Sequence, residues 1–233
     1  MSNHVLLNNI DHKDVRIITR RGAAYGDDVM LAITFPAEFR DLQAHYPIVF
    51  RKTPDGTSFE PVVLFGFQDR ENLFLGPDGW DASYVPIAVE RQPFLIGMTN
   101  GEPLVHIDIA SPRVSKADGE AIFLTHGGNT EFLEQVNSTL LSIYQGLQST
   151  PPFIAALLEH VLLESFVVDI ELDDGSQNRL AGFYTINEDK LNALDGEVVA
   201  RLHKSGYLQA IYMVLASLSN FRALIDRKNR SHA

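Results

Sequence analysis

The chain of 233 residues contains no cysteine. Disulfide bonds, thiolate metal ligands and a cysteine nucleophile are therefore excluded. The Gly-x-Ser-x-Gly elbow that presents the nucleophile of many serine hydrolases is also missing. These absences favour a protein that is not an enzyme, and they leave open only chemistry that needs no thiol, such as metal-dependent oxidation.

Positive charge is scarce. The chain has 19 lysines and arginines against 30 aspartates and glutamates, and its formal net charge is -11. A phosphate backbone needs basic residues to replace its counterions, so the composition predicts that nucleic acid is not a partner. Electrostatic docking to anionic membranes is disfavoured for the same reason. The partner is expected to be another protein or a small molecule.

Long apolar runs are missing as well. The longest, residues 154–158 and 212–218, fall far short of the ~20 residues needed to cross a bilayer. Residues 1–12 lack the basic stretch and apolar core of a secretory signal. The sequence therefore predicts no membrane insertion and a cytoplasmic location.

The first half of the chain has the pattern of a β-rich region. In residues 29–35 the apolar side chains of Val29, Leu31, Ile33 and Phe35 alternate with Met30, Ala32 and Thr34, with the period of a half-buried strand. The turn Thr53-Pro-Asp-Gly56 lies between two apolar runs, residues 48–52 and 61–67, which predict paired strands. Closely spaced short strands are typical of antiparallel sheets.

The second half changes to a helical period. Residues 130–147 and 153–163 predict two helices, with Pro151-Pro152 as the interruption between them. A hairpin is predicted near 165–186, around Asp173-Asp-Gly-Ser176. Asn187 and Asp195 are the expected N-caps of the helices that follow, and the chain ends in a helix.

Together these patterns predict an α+β fold. A mostly antiparallel β-rich region, residues 1–128, packs with a helical region, residues 129–233, that contains the one β-hairpin. The two regions are either separate domains or parts of one continuous domain.

Several blocks of the sequence resemble the SapC-like family of bacterial proteins. They include Phe35-Pro-Ala-Glu-Phe-Arg, Tyr46-Pro-Ile-Val-Phe, Gly79-Trp-Asp-Ala-Ser-Tyr-Val-Pro86, Arg91-Gln-Pro-Phe94 and Gly182-Phe-Tyr-Thr-Ile-Asn-Glu-Asp. The resemblance spans nearly the whole chain. It implies no activity that transfers residue by residue, but family members are associated with surface-layer, nutrient-uptake and modification loci. A peptide-transporter permease has the same name, and its spanning helices have no counterpart here.

Trp80, Asp81 and Tyr84 form the first candidate for ligand or partner binding. A tryptophan on a turn between short strands can offer a flat amphipathic surface, although it can equally fill one end of the core. Arg91 is the second candidate, since its fork of donors suits a carboxylate. The alternative for Arg91 is an internal salt bridge.

His106 and Asp108 are the candidate metal ligands. Positions i and i+2 of a strand share one face, so this imidazole and carboxylate could bind one ion. A third ligand from His126, His160 or His203 would complete the set used by non-haem Fe(II) oxygenases. The alternative is a surface pair that binds no metal or other cofactor.

These observations predict a cytoplasmic accessory or binding protein whose ligand or partner is not specified. The resemblance implies that it serves a nutrient-uptake or modification locus. The alternative is a small non-haem, metal-dependent oxygenase that uses His106 and Asp108. A third hypothesis is a homo-oligomer formed through the C-terminal helix, with Tyr212, Met213 and Phe221 beside the main apolar stripe.

Overall fold

The computed structural model describes residues 2–232, and of His232 only the backbone. In chain order the strands are β1 (His4–Leu6), β2 (Arg16–Ile17), β3 (Leu31–Ile33), β4 (Ile48–Lys52), β5 (Phe59–Leu64), β6 (Leu75–Gly76), β7 (Gly79–Trp80), β8 (Phe94–Thr99), β9 (Glu102–Asp108), β10 (Val114–Ser115), β11 (Glu120–Ala121), β12 (Leu163–Glu171) and β13 (Gln177–Ile186). The α-helices are α1 (Phe39–Leu42), α2 (Ile87–Glu90), α3 (Glu131–Glu159), α4 (Glu188–Asn192), α5 (Gly196–Lys204), α6 (Tyr207–Ser217) and α7 (Asn220–His232). The fold is α+β with antiparallel sheets, which confirms the predicted class.

The chain divides into two compact units. Unit 1 comprises the chain up to Asp28, Leu75–Asp81 and Ile87–Gln145. Unit 2 comprises Val29–Phe74, Ala82–Pro86 and the chain from Gly146 onward. The predicted division near residue 128 follows the change of sequence pattern, and it stays a prediction.

Unit 1 is built from two three-stranded sheets and a short ribbon. The sheet orders are β1-β9-β8 and β10-β2-β11, and β6 pairs with β7. In the first sheet Val5 lies opposite Ile107, which in turn lies opposite Phe94. Ile107 and Phe94 are fully buried in a core to which α3 adds Leu133 and Leu140. Because side chains alternate along a strand, His4, His106 and Asp108 lie on the face of the sheet that points away from this core.

Unit 2 contains a five-stranded sheet of order β12-β13-β4-β5-β3. The predicted hairpin is its β12–β13 pair, and Gly175 takes the positive φ of +80° that the turn requires. Ile48, Val49 and Phe50 of β4 are consecutive and all fully buried. Since successive side chains point to opposite faces, both faces of the sheet are covered here.

Helix α3 corrects one prediction. Pro151-Pro152 does not separate two helices, because α3 runs without interruption from Glu131 to Glu159 with both prolines inside it. The prolines cannot donate to the carbonyls of Leu147 and Gln148, but these residues are exposed, so water can satisfy the carbonyls.

The C-terminal helix is also divided, into α6 and α7, with a turn at residues 218–219 between them. Taken together, Tyr207–Ser231 is long enough to span a membrane, and its most apolar window of 18 residues has a mean hydropathy of 1.3, which by length and composition alone is weak evidence of a span. Ala210, Ile211 and Val214 of α6 are buried within unit 2. The expectation of no membrane insertion stays a prediction.

Candidate functional site

Trp80 and Asp81 lie at the end of the β6–β7 ribbon in unit 1. Trp80 is half-buried and opposite Leu75 in the strand register, whereas Asp81 is exposed. The short ribbon therefore leaves part of the indole accessible, as a binding role requires. A role in binding stays a prediction for these two residues.

Tyr84 belongs to unit 2, where it takes part in a polar network. Its hydroxyl donates to Glu38 Oε1 at 3.1 Å, and its carbonyl accepts a hydrogen bond from the Tyr46 hydroxyl. Glu38 is only 3% exposed and also accepts from Thr34 Oγ1 at 2.6 Å. Tyr84 thus helps to satisfy a buried carboxylate, which is a structural task beside any role in binding.

Arg91 follows directly after α2 in unit 1 and is half-buried. Its guanidinium Nη1 donates to the carbonyl of Phe94 at 2.5 Å. Removal from water lowers the pKa of Arg91, because burial disfavours the charged form. Among the described residues no carboxylate forms a salt bridge with Arg91, so the internal ion pair considered for it is not found.

Arg91 opens onto a groove of about 200 Å³, which we name the Arg91 groove. It is lined by His4, Arg91, Gln92, Pro93, Leu95, Asp108 and Ser111. The strand register brings His4 opposite Asp108. The groove thus joins Arg91, predicted as a ligand residue, to Asp108, predicted as a metal ligand, and adds His4 and Ser111, which the sequence did not indicate.

Backbone contacts hold the polar groups of the groove in place. Asp108 Oδ1 accepts from the amides of Asn3 at 2.7 Å and Ala110 at 3.1 Å. Ser111 donates its amide to the carbonyl of Asp108, and its Oγ accepts from the amide of Arg113 at 3.3 Å. The Ser111 hydroxyl therefore keeps its own proton available for a ligand.

His106 does not line the Arg91 groove. Its Nδ1 lies 3.0 Å from the carbonyl of Leu104, so Nδ1 is the donor, and Nε2 lies 3.2 Å from Thr99 Oγ1. The ring lies directly over Gly97, where an added Cβ would be 2.5 Å from Nδ1. Both ring nitrogens are thus engaged by hydrogen bonds within the protein, and a metal-binding role for His106 stays a prediction.

A third metal ligand is also missing from the part of the chain that the structure describes. Within residues 2–232 no group of three histidine, aspartate or glutamate side chains is placed to hold an ion. His126 lies in an exposed turn before α3, and His203 is exposed on α5. The Fe(II) oxygenase hypothesis therefore has no supporting geometry, and it stays a prediction.

Replacing Gly97 by alanine tests the packing of His106. The new methyl group would overlap the imidazole, so we expect the ring to leave its contacts with Thr99 and Leu104, at a cost of about 1–3 kcal/mol. The ring signals of His106 in an NMR spectrum should shift, and Thr99→Val, which replaces the hydroxyl by a methyl group, should shift mainly the signal of Nε2. Unchanged His106 signals in Gly97→Ala would contradict this placement.

Arg113, two residues beyond Ser111 in the sequence, forms a buried ion pair with Asp27. Arg113 is 1% exposed, and its Nη2 donates to both carboxylate oxygens of Asp27 at 2.7 Å. Its Nη1 donates to the carbonyls of Ile18 and Arg20. The pair fixes the segment that carries Ser111.

Arg21 shares the same carboxylate. Its Nη1 lies 3.5 Å from Asp27 Oδ1. The pKa of Arg21 is lowered, first because burial removes it from water and second because Arg113 repels it, and the attraction of Asp27 offsets this only in part. Two guanidinium groups therefore depend on the Asp27 carboxylate.

Unit 2 has a larger groove of about 480 Å³. It is lined by Pro36, Ala37, Arg40, Ser149, Pro152, Ser205, Gly206, Tyr207, Gln209, Ala210 and Met213. Arg40 is the one charged residue among these, and it is exposed, so water already solvates it. The size suits a ligand, but the groove lacks a charge that is withheld from solvent.

The proposed self-association surface is only partly accessible. Tyr212 is 55% exposed, whereas Phe221 is buried against Phe166 with the ring centroids 5.2 Å apart. Met213 is half-buried at the edge of the unit 2 groove. Oligomerisation through the C-terminal helices stays a prediction in which Tyr212 is the main exposed contact.

The fold defines an α+β protein of antiparallel sheets, and sequence comparison assigns its family. The SapC family model matches residues 7–224 of 233, so the chain belongs to the SapC family and the resemblance seen in the sequence is confirmed. No curated protein and no solved structure matches the chain. The function of this chain must therefore be inferred from the chemistry of its own sites.

Proposed function

We propose that this protein is a cytoplasmic accessory protein that binds a small carboxylate ligand in the Arg91 groove. The observation that carries the proposal is the Arg91 guanidinium, which is partly removed from water and has only a neutral carbonyl as its partner among the described residues. A charge that loses solvent without gaining a counter-charge is costly. A ligand carboxylate would supply that counter-charge.

The geometry of a guanidinium suits this role. Its planar fork presents parallel N–H donors that match the two oxygens of a carboxylate. Nη1 is partly used by Phe94, which fixes the orientation of the plane before a ligand arrives. The Ser111 hydroxyl can add a further donor from the same groove.

The groove contains the residue types of a catalytic triad without its contacts. His4, Asp108 and Ser111 all line it, yet in the described structure no hydrogen bond or ion pair joins His4 to either of the other two. A serine nucleophile needs a base within hydrogen-bonding reach. The arrangement therefore supports binding better than hydrolysis.

The test is a titration of isotopically labelled protein with propionate, followed by NMR. We expect shifts at the groove residues, with Arg91→Gln weakening the affinity by roughly tenfold or more, because a charge-assisted contact is lost. The matched control is Arg40→Gln, which removes an exposed arginine from the other groove. Propionate binding that is unchanged in Arg91→Gln would overturn the proposal.

A further inference from the structure

The Arg91 groove carries a fixed negative charge as well as a positive one. Asp108 is half-buried, and two backbone amides hold its Oδ1. In the described structure its Oδ2 accepts no hydrogen bond from the protein. The carboxylate is thus held rigidly, and one of its two oxygens is available at the wall of the groove.

These two charges do not neutralise each other. Within the described chain Arg91 contacts the carbonyl of Phe94, and it forms no salt bridge with Asp108. A ligand with only a carboxylate would gain from Arg91 but be repelled by Asp108. A ligand with only an ammonium group would be attracted by Asp108 but repelled by Arg91. Both charges are satisfied together only by a molecule that carries both groups.

We infer that the Arg91 groove selects a small zwitterion of the α-amino acid type, with the carboxylate at Arg91 and the ammonium group at Asp108. This inference rests on the proposed function and names its ligand class. The volume of about 200 Å³ admits a molecule of that size. Pro93 and Leu95 form an apolar wall that suits a small aliphatic side chain.

The charge of the whole protein favours the same class. With a formal net charge of -11, the molecule repels anions at long range. A zwitterion has no net charge and does not meet this repulsion. Selectivity for a zwitterion over an anion can therefore arise without any further basic residue in the groove.

Three compounds of similar size test the inference: L-alanine carries both groups, propionate only the carboxylate and ethylamine only the ammonium group. We expect the wild type to bind alanine roughly tenfold or more tightly than propionate, since each satisfied charge adds a contact of that order. Ethylamine should bind more weakly than alanine by a similar factor. Arg91→Gln should weaken the binding of both alanine and propionate.

Asp108→Asn is the deciding variant, because asparagine keeps an oxygen that can accept from Asn3 and Ala110 while the charge is removed. It should bring the dissociation constant for alanine close to that for propionate. Asp118→Asn is the matched control, since it neutralises an exposed carboxylate of unit 1 and should leave both constants unchanged. Thermal denaturation should show that Asp108→Asn remains folded.

The outcomes separate the two proposals. If the wild type binds alanine and propionate equally, or Asp108→Asn binds alanine as tightly as the wild type does, the zwitterion inference is wrong. Loss of propionate binding in Arg91→Gln would in that case still support the carboxylate site. If the wild type binds none of the three compounds, both proposals are wrong.

Discussion

Replacing Asp27 by alanine is expected to destabilise the protein by about 3–5 kcal/mol, because the substitution leaves Arg113 buried without its counter-charge. Asp27 is fully buried and receives two hydrogen bonds from Arg113, each 2.7 Å long. It also accepts from the amide of Gly22 at 2.8 Å and lies 3.5 Å from Arg21.

Urea denaturation of Asp27→Ala and of the wild type measures this difference. The control is Asp118→Ala, which removes the exposed salt bridge between Arg20 and Asp118, whose side chains are 65% and 62% exposed. Exposed pairs contribute about 0–1 kcal/mol, so the control should differ little from the wild type. Equal losses of unfolding free energy in the two variants would show that the Asp27–Arg113 pair is not shielded from solvent.

Replacing Phe153 by alanine is expected to cost about 3–5 kcal/mol, which is typical of the loss of a buried aromatic side chain. Phe153 is fully buried in unit 2. Its ring centroid lies 6.1 Å from that of Phe39, 6.4 Å from Phe50 and 5.4 Å from Tyr207. The substitution would leave a cavity among three rings that belong to different elements.

Leu158→Ala provides the control for Phe153→Ala. Leu158 is on the same helix but 45% exposed, so its truncation should cost well under the loss expected at Phe153. Denaturation in urea compares the two variants under one condition. A loss below about 1 kcal/mol for Phe153→Ala would mean that the neighbouring rings close the space, in contrast to most core truncations.

Local features of the fold could be predicted because their causes lie within a few residues. Asn187 caps α4 by accepting from the amide of Lys190 at 2.8 Å, and Asp195 caps α5 by accepting from Glu197 and Val198. These contacts span two or three positions, so the residue types alone indicate them.

The prolines of α3 show where local rules fail. Pro151 and Pro152 remove two helical hydrogen bonds, which by itself favours a break. The helix continues because Phe153 and Leu157 are fully buried directly after them, and tertiary packing outweighs the lost bonds. The sequence shows the prolines, but it does not show which residues pack against Phe153.

The candidate site was predictable only in part. The residue type of Arg91 indicated carboxylate binding, but its neighbours in the groove depend on strand pairing. His4 meets Asp108 through the β1–β9 register, across about a hundred positions of chain. A single sequence does not encode that pairing in any local pattern. His106 and Asp108 were correctly placed on one strand face. Their hydrogen bonds, however, go to different residues: His106 contacts Thr99 and Leu104, whereas Asp108 accepts from Ala110.

The position of Trp80 has a spectroscopic consequence. As the single indole of the chain it lies in unit 1, so intrinsic emission monitors that unit, whereas α4–α7 all lie in unit 2 and contribute much of the far-ultraviolet dichroism. One sample thus contains a reporter of unit 1 alone and a reporter of the helices of both units, because residues 131–145 of α3 also lie in unit 1. If the melting curves from tryptophan emission and from far-ultraviolet dichroism coincide, the protein unfolds in a single cooperative transition. If the two curves diverge, the two units unfold independently.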